Sequence, residues 1–459
     1  IEKGSIEGPI TFEKGDATAD NMVTVGKDGI TTLTGGVAGS GTIDKLAIAE
    51  DGETTITNAK LSGHDGRALW NNGTLTVNGG SFEGNKANVA GAIYNAAGAK
   101  LTVDGVTFAS NSSAIAGAIN NRDGTVTITN STFKGNSVPK SAGGAVLNES
   151  GNTGILGTIT ITGSTFEGNK AGNGGAVWNG SNGKVEITDS TFKGNTAVAE
   201  GGLGQGGAIT NADQMTITGS TFEGNQAGKI GGAIFNAASG KLDFNGTNTF
   251  TNNTAAGKAN DIYNAGTITV KDGTTTLNSG LILAAGSTTD VSGGALVING
   301  NTTWEKGDNL GSLTVNGGAL TLQKGDVLEG YDKAKENTSL SVNSGSLYLI
   351  NKDNYTAKNF TAAKKVLNVN NASFGFVGGQ LVDDGGNVTG LVVSGNTIGA
   401  DTKFDTDGLT DTTVNNSSFL KNDLTVKADA TDVTINGADV AVNKVNIGTS
   451  ATGDKSLTI

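Results

Sequence analysis

The chain contains 459 residues with a formal net charge of -12, 74 Gly and no Cys. An acidic balance disfavours non-specific nucleic-acid binding, and the lack of Cys excludes a disulfide framework and a zinc-thiolate site. Hydrophobic residues make up only 35% of the chain, which is low for a thick globular core and favours a thin, continuous one. No apolar run approaches the ~18 residues of a membrane-spanning helix. The sequence begins at Ile1 without a leader, so we expect any signal peptide to have been removed.

The sequence divides into three predicted parts that differ in how regularly the repeat motifs occur. We expect N-terminal coils or a cap over residues 1–63, a regular repeat array over 64–264, and a less regular continuation over 265–459. The regular array contains two alternating motifs, and we look for repeats first because they decide the fold.

The first motif is an eleven-residue segment that begins at Leu75 as Leu-Thr-Val-Asn-Gly-Gly-Ser-Phe-Glu-Gly-Asn and occurs six times. In each copy the Phe lies seven residues after the first apolar residue, and the Asn lies three residues after the Phe. The phenylalanines are Phe82, Phe108, Phe133, Phe166, Phe192 and Phe222. The asparagines are Asn85, Asn111, Asn136, Asn169, Asn195 and Asn225. We expect the Phe side chains to stack inside the fold and the Asn side chains to form an amide ladder, because identical residues meet in stacked, in-register strands.

The second motif reads Gly-Ala-Ile-x-Asn, with Val at the Ile position in two of its six copies, and weaker copies lie on both sides. Since the aliphatic residue faces inward, the alternation of a strand predicts that residue x faces outward. Position x is aromatic in five of eight copies, and we take the following residues as a candidate binding stripe for a sugar or a protein: Trp70, Tyr94, Leu147, Trp178, Phe235 and Tyr263. In the alternative, the insertions at 149–158 and 196–206 fold over this stripe and bury it.

The strands of the array carry a period of two, with Val, Ile or Leu alternating with Thr, and Gly and Asn separate them. No segment keeps a helical period for three turns. Strands spaced this closely in a repeat of 25 to 27 residues predict an all-β fold, a single right-handed parallel β-helix. A 27-residue spacing continues beyond the array, from Leu313 to Leu340 to Leu367, which predicts the same architecture there.

The paired motifs resemble the repeats of the polymorphic membrane protein family, as in Gly231-Gly-Ala-Ile234 and Phe222-Glu-Gly-Asn225. The resemblance covers residues 64–264. It implies a bacterial autotransporter passenger at the cell surface, associated with the outer membrane and acting as an adhesin toward host or neighbouring cells. The expected partner is a surface protein or glycan, and the expected route to the membrane is an anchor that lies outside this sequence.

Two other functions stay open at this point. A structural surface fibre or coat would build on self-association of exposed coil ends and side stripes. A polysaccharide-degrading enzyme would need an acid/base pair, and only His64 and Arg67 bring suitable groups together. We expect no enzyme and no cofactor. A weak calcium candidate is formed by Asp405, Asp407 and Asp411, whose carboxylates suit Ca²⁺, although a solvated turn explains them better.

Overall fold

A computed structural model describes the following residues with their side chains: 48, 50, 52–58, 60–63, 69–151, 153–200, 203–305 and 311–320. Outside these ranges it describes the backbone of individual strands. The chain forms two compact units, one made of Ile1–Leu242 with Thr249–Tyr263 and the other of Asp243–Asn248 with Asn264–Ile459. The three-part division by regularity stays a prediction.

Four short strands recur along the regular array. The strands that carry the first apolar residues are Thr74–Glu83, Lys100–Asp104, Thr125–Thr129, Gly157–Thr162, Gly183–Thr188, Gln214–Thr218 and Lys241–Asn245. The Phe strands that follow are Thr107–Ala109, Thr132–Lys134, Thr165–Glu167, Thr191–Lys193, Thr221–Glu223 and Asn248–Thr251, while Phe82 lies on Thr74–Glu83. The strands after the Phe-x-x-Asn turn are Lys86–Ala87, Ser112–Ser113, Ser137–Ala142, Lys170–Asn173, Thr196–Ala197, Gln226–Ala227, Thr254–Ala255 and Lys258–Ala259. The strands of the Gly-Ala-Ile-x-Asn motif are Leu69–Asn71, Ile93–Asn95, Ile119–Arg122, Val146–Glu149, Val177–Asn179, Ile209–Asn211, Ile234–Asn236 and Ile262–Asn264.

Further strands precede and follow the array. Before it lie Gly4–Glu7, Ile10–Phe12, Val23–Val25, Ile30–Thr34, Val37–Gly39, Leu46–Ile48 and Glu53–Ser62. After it lie Thr267–Val270, Thr274–Leu277, Leu281–Leu283, Thr288–Val291, Ala295–Ile298, Thr302–Trp304, Ser312–Leu322, Leu340–Ile350, Asn368–Asn370 and Ala372–Val377. The last strands are Leu391–Ser394, Thr397–Ile398, Phe404–Asp405, Asp411–Asn415, Ser418–Val426, Asp432–Asn436, Val440–Ile447 and Ser456–Thr458.

Strands in the middle of the array pair in parallel with their equivalents one coil earlier and one coil later. Leu101, for example, is in register with Leu75 on one side and Val126 on the other. Between the described strands the pairing is parallel, except where Thr254–Ala255 meets Lys258–Ala259. The described residues contain no helix, and therefore none that is long and apolar enough to cross a membrane. This pattern is that of a parallel β-helix, as the repeat predicts.

Coil length varies more than the expected 25 to 27 residues. Side-chain hydrogen bonds between neighbouring coils join residues 26 apart at Asn95 and Asn121 but 33 apart at Asn136 and Asn169, because the 149–158 insertion lies between the latter two. In the second unit, Asn299 bonds to Asn278 only 21 residues earlier. Turns lengthen or shorten while the strand register is kept, as insertions at fixed points of the repeat predict. Further along, Leu340 pairs with Leu313, which confirms the 27-residue spacing there.

Phenylalanine rings fill the interior of the array in a continuous stack. The rings of consecutive coils are nearly parallel, with interplanar angles of 2° to 12° and centroids 4.5 to 4.9 Å apart. The stack contains the six predicted phenylalanines and Phe250, all with 0% exposure. The centroid spacing equals the distance between neighbouring strands, so the strand spacing itself brings the rings into contact.

Two columns of buried amides accompany the rings. Asn169 Nδ2 donates to Asn195 Oδ1 at 2.9 Å and to the Phe133 carbonyl at 2.9 Å, and this pattern recurs from Asn85 to Asn253. The last residue of the second motif forms another ladder, in which Asn148 Nδ2 donates to Asn179 Oδ1 at 2.9 Å. Every donor and acceptor of a buried amide needs a partner, and stacking identical coils supplies one at each step.

Candidate functional site

The predicted aromatic stripe is not an exposed face. Leu147 is 2% exposed, Tyr94 8% and Tyr263 9%. Trp70, Trp178 and Phe235 are half-buried. The sequence left open whether this column is exposed or covered. The structure shows it buried or half-buried, with its residues in register from coil to coil, and its role in binding stays a prediction.

The backbone that precedes the motif explains why the column is covered. Gly143 and Gly231 adopt φ angles of 71° and 69°, which turn the chain back toward the strand that carries residue x. A Cβ added at Gly143 would lie 3.0 Å from Leu147 Cβ, and one at Gly231 would lie 2.8 Å from the Phe235 amide nitrogen. The glycine turn itself thus packs against the column, and only glycine fits so close an approach with a positive φ.

The two tryptophans of the column are also engaged. Trp70 Nε1 donates to Asn72 Oδ1 at 2.8 Å, and its ring packs edge-on against Tyr94 at a centroid distance of 5.4 Å. The indole of Trp178 lies against Gly180, where an added Cβ would overlap the ring. These contacts hold the indoles against the protein, and both side chains stay half-buried.

The insertion at residues 149–158, which we call the 149–158 loop, is held in place by buried polar groups of the preceding coil. Asp123 is fully buried, and its Oδ2 accepts hydrogen bonds from the Gly151 amide at 2.8 Å, the Thr153 amide at 3.3 Å and the Thr153 hydroxyl at 2.6 Å. Asn120 Nδ2 donates to Glu149 Oε1 at 2.9 Å. Glu149, Gly151 and Thr153 are therefore tied to the preceding coil.

The 149–158 loop presents two large aliphatic side chains to solvent. Ile155 is 45% exposed and Leu156 is 43% exposed, and no other large hydrophobic residue of the described part of the chain is exposed. The Ile155 amide donates to the Thr153 hydroxyl at 3.2 Å, which ties this pair to the same network. These two side chains are therefore accessible to a binding partner.

Neighbouring groups shift the pKa values of two charged residues beside the loop, Arg122 and Asp123. A hydrogen bond to Tyr94 raises the pKa of Arg122, helped by the carboxylates of Glu149 and Asp123. Burial alone would raise the pKa of Asp123, but the hydrogen bonds from Thr153 and Gly151 and the charge of Arg122 outweigh it, so the pKa lies below the ordinary 3.8. Asp123 is thus an anion at neutral pH and holds the loop in that form.

We expect the 149–158 loop to loosen in acid. Because the pKa of Asp123 is lowered in the folded state, its stabilisation is complete above the unfolded pKa of about 3.9 and disappears as the pH falls through the lower folded value. Hydrogen exchange should show Gly151 and Thr153 amides that are protected at pH 7 and lose protection only as the pH falls through the lowered folded pKa of Asp123. Asp123→Ala should remove that protection at every pH.

Asp104 provides a matched control for this experiment. Hydrogen bonds from Thr129 and Asn130 lower the pKa of Asp104 as well, but this carboxylate does not contact the loop. Asp104→Ala should therefore leave the exchange of Gly151 and Thr153 unchanged. Loop protection that persists in Asp123→Ala would contradict the role of Asp123.

The remaining sequence candidates lie outside the residues whose side chains the structure describes. These are His64, Arg67, Asp405, Asp407 and Asp411. Within the described residues, no group of three or more His, Asp or Glu side chains is arranged to hold a metal ion.

The exposed residues Ile155 and Leu156 were missed in the sequence because the insertion was treated only as a cover for the aromatic stripe. The signal was present, since an Ile-Leu pair between glycines lies outside the alternating pattern of the strands.

The coils and the loop together define a solenoid protein that carries an insertion on a regular scaffold. The family described as right-handed beta helix region matches residues 36–192 and 119–302, and the chain belongs to it. The fold is thus a right-handed parallel β-helix, as predicted from the repeat. No curated protein sequence matches the chain.

Solved structures with weak similarity include three kinds of protein. A TibC-catalysed hyper-glycosylated TibA fragment is 13% identical, with 97% of this chain and 99% of the fragment covered and a TM-score of 0.18. A tailspike of E. coli bacteriophage HK620 in complex with a pentasaccharide is 11% identical, with 97% and 71% covered and a TM-score of 0.22. The PL6 family alginate lyase AlyGC is 10% identical, with 99% and 96% covered and a TM-score of 0.21.

Proposed function

We propose that this protein is a non-catalytic adhesin of the bacterial cell surface, and that it contacts host or neighbouring cells through the 149–158 loop. The observation that carries the proposal is the exposure of Ile155 and Leu156 on a loop fixed by Asp123. Asp123 orders the loop backbone from which these two side chains project, and an ordered loop loses little entropy when a partner docks.

The repeated Phe and Asn residues contact one another between coils, which supports a scaffold role for the rest of the array. The phenylalanines and both sets of asparagines are buried and bonded to their counterparts in neighbouring coils. These residues are therefore occupied in holding the coils together. The resemblance to polymorphic membrane protein repeats agrees with this division, because it implies a surface-exposed passenger, carried by an outer-membrane anchor, in which a β-helix displays its binding loops.

The proposal predicts saturable binding of the purified chain to a panel of cultured animal cells and bacteria. The double variant Ile155→Ser/Leu156→Ser should lose most of this binding, because a few central apolar residues carry most of the energy of an interface. Flow cytometry with fluorescently labelled protein measures the effect. The melting temperature should remain within the range of ordinary surface substitutions, which change stability by about 0.5 kcal/mol or less.

Two exposed residues in other turns serve as controls. Ala114 and Lys229 lie in turns of different coils and are exposed. Ala114→Ser and Lys229→Ser should bind as the wild type does. Saturable binding that is unchanged in the Ile155→Ser/Leu156→Ser variant would place the adhesive surface elsewhere on the protein. Absence of saturable binding by the wild type would argue against an adhesin.

A further inference from the structure

The strands that follow the Phe-x-x-Asn turns form one sheet of eight strands, and this sheet ends in a hairpin. Its last parallel pair joins Thr254–Ala255 to Gln226–Ala227 of the preceding coil. On the other edge of Thr254–Ala255 the chain turns back, and Lys258–Ala259 pairs with it antiparallel. The Asn260 amide donates to the Asn253 carbonyl at 3.0 Å and adds a further rung. The edge with which another strand could pair is thus already occupied by the chain itself.

The turn of this hairpin consists of two residues with a left-handed backbone. Ala256 has a φ of 48° and Gly257 a φ of 75°. Positive φ at both central residues is what a type I′ turn requires, and such turns match the twist of paired strands. The left-handed conformation costs an L-residue such as Ala256 roughly 1–2 kcal/mol. The strand pairing therefore holds Ala256 in a conformation that this residue avoids elsewhere.

The glycine column of the second motif also stops at this coil. A Cβ added at Gly207 would overlap the Gly232 carbonyl oxygen, and one at Gly232 would overlap the Asn260 carbonyl oxygen. Glycine is therefore needed where another coil of the array follows. The next position of the column is Asn260, whose side chain accepts from the Gly232 amide at 3.3 Å and donates to the Ile262 carbonyl at 3.1 Å. The residue at the last position of the column is thus no longer one that permits the close approach of an array coil.

We infer that residues 254–260, which we call the closing hairpin, shield the edge of the eight-stranded sheet from strand addition by a second copy of this chain. An open strand edge is a template for pairing, and a copy of this chain carries strands of the same pattern. The outer strand of the closing hairpin is only two residues long and carries the exposed Lys258, and both features disfavour further pairing. The inference concerns self-association and does not depend on the proposed adhesin function.

The test opens the turn and measures self-association. Ala256→Val/Gly257→Val should disfavour the turn because β-branched residues oppose positive φ, whereas a Cβ added at Gly257 meets nothing within 4 Å. We expect the Asn260 amide to lose protection from hydrogen exchange. Light scattering should give a higher molar mass than that of the wild type at the same concentration. Ala256→Asn, which creates the favoured Asn-Gly turn, should keep the amide protected and the mass unchanged.

Gly98→Val is the matched control for backbone strain. Gly98 has a φ of 76° and equally open surroundings, but it lies in a different turn, between Ile93–Asn95 and Lys100–Asp104. Its molar mass should equal that of the wild type, and equal association by this variant would assign the effect to strain and overturn the inference. Wild-type mass in the Val double variant with an unprotected Asn260 amide would show that the open edge recruits no second copy. Continued protection of Asn260 in that variant would show that the turn does not control the edge, and the inference would fall.

Discussion

Replacing Phe166 by Ala should destabilise the array by roughly 3–5 kcal/mol, the cost of removing a large buried side chain and leaving a cavity. Phe166 is fully buried, and its ring stacks on Phe133 at 4.7 Å and on Phe192 at 4.8 Å. The substitution therefore removes ring contacts with two neighbouring coils at once. Chemical denaturation measures the loss, and hydrogen exchange shows where it falls.

Because each coil touches only its neighbours, the effect should be local first. The amides of Thr132–Lys134 and Thr191–Lys193 should lose protection before those of distant coils. Thr165→Ala is the matched control, since Thr165 precedes Phe166 and faces outward. It should cost no more than about 0.5 kcal/mol. Unchanged protection of the neighbouring strands in Phe166→Ala would contradict the stacked interior.

Gly175→Ala should be at least as damaging, and we expect a loss of more than about 4 kcal/mol or failure of the surrounding coils to fold. A Cβ at Gly175 would overlap the carbonyl oxygen of Gly207 in the next coil and lie 2.6 Å from the Thr196 amide nitrogen. Both obstacles are backbone atoms, so no side chain can rotate away to make room. The coils would have to separate at this point, and stacked strands cannot separate locally without losing hydrogen bonds.

Gly168→Ala distinguishes this clash from the loss of glycine's backbone freedom. Gly168 has a φ of 62°, but an added Cβ there would meet nothing within 4 Å. This variant should cost only the ~1–2 kcal/mol that a left-handed conformation imposes on an L-residue. Thermal and denaturant unfolding of the two variants should therefore differ clearly. Similar stability in both would contradict the close approach at Gly175.

The interior could be predicted from the sequence because each of its residues repeats at a fixed position. Phe166 and Asn169 lie seven and ten residues into their motif, and stacking of parallel coils then brings each onto its counterpart. The repeat also marks the final Asn of the second motif, although its ladder was not anticipated. When the same residue occupies the same position in every coil, its contacts can be predicted from the stacking of coils alone.

The outer surface could not be predicted in the same way. The alternation of a strand does place Leu147 on the side away from the core, but it does not reveal that Gly143 turns the backbone over that side. Burial there depends on a neighbouring segment and not on the strand. The anchoring of the 149–158 loop is equally hidden, since Asp123 and Thr153 belong to different coils and to no repeated motif. Residues that occur only once follow no repeat spacing, so the sequence does not indicate which residues they contact.

The amide ladders have one more property, which is their direction. In both ladders each Asn donates its amide hydrogen to the following coil, as from Asn195 to Asn225 and from Asn179 to Asn211. The side-chain dipoles therefore all point the same way, and two ladders joined head to head would set donor against donor. The first ladder ends where Asn253 donates to the buried carboxylate of Asp261 at 2.8 Å. The column therefore ends on a carboxyl oxygen of Asp261, 8 residues further along the chain, rather than on an asparagine of the next coil.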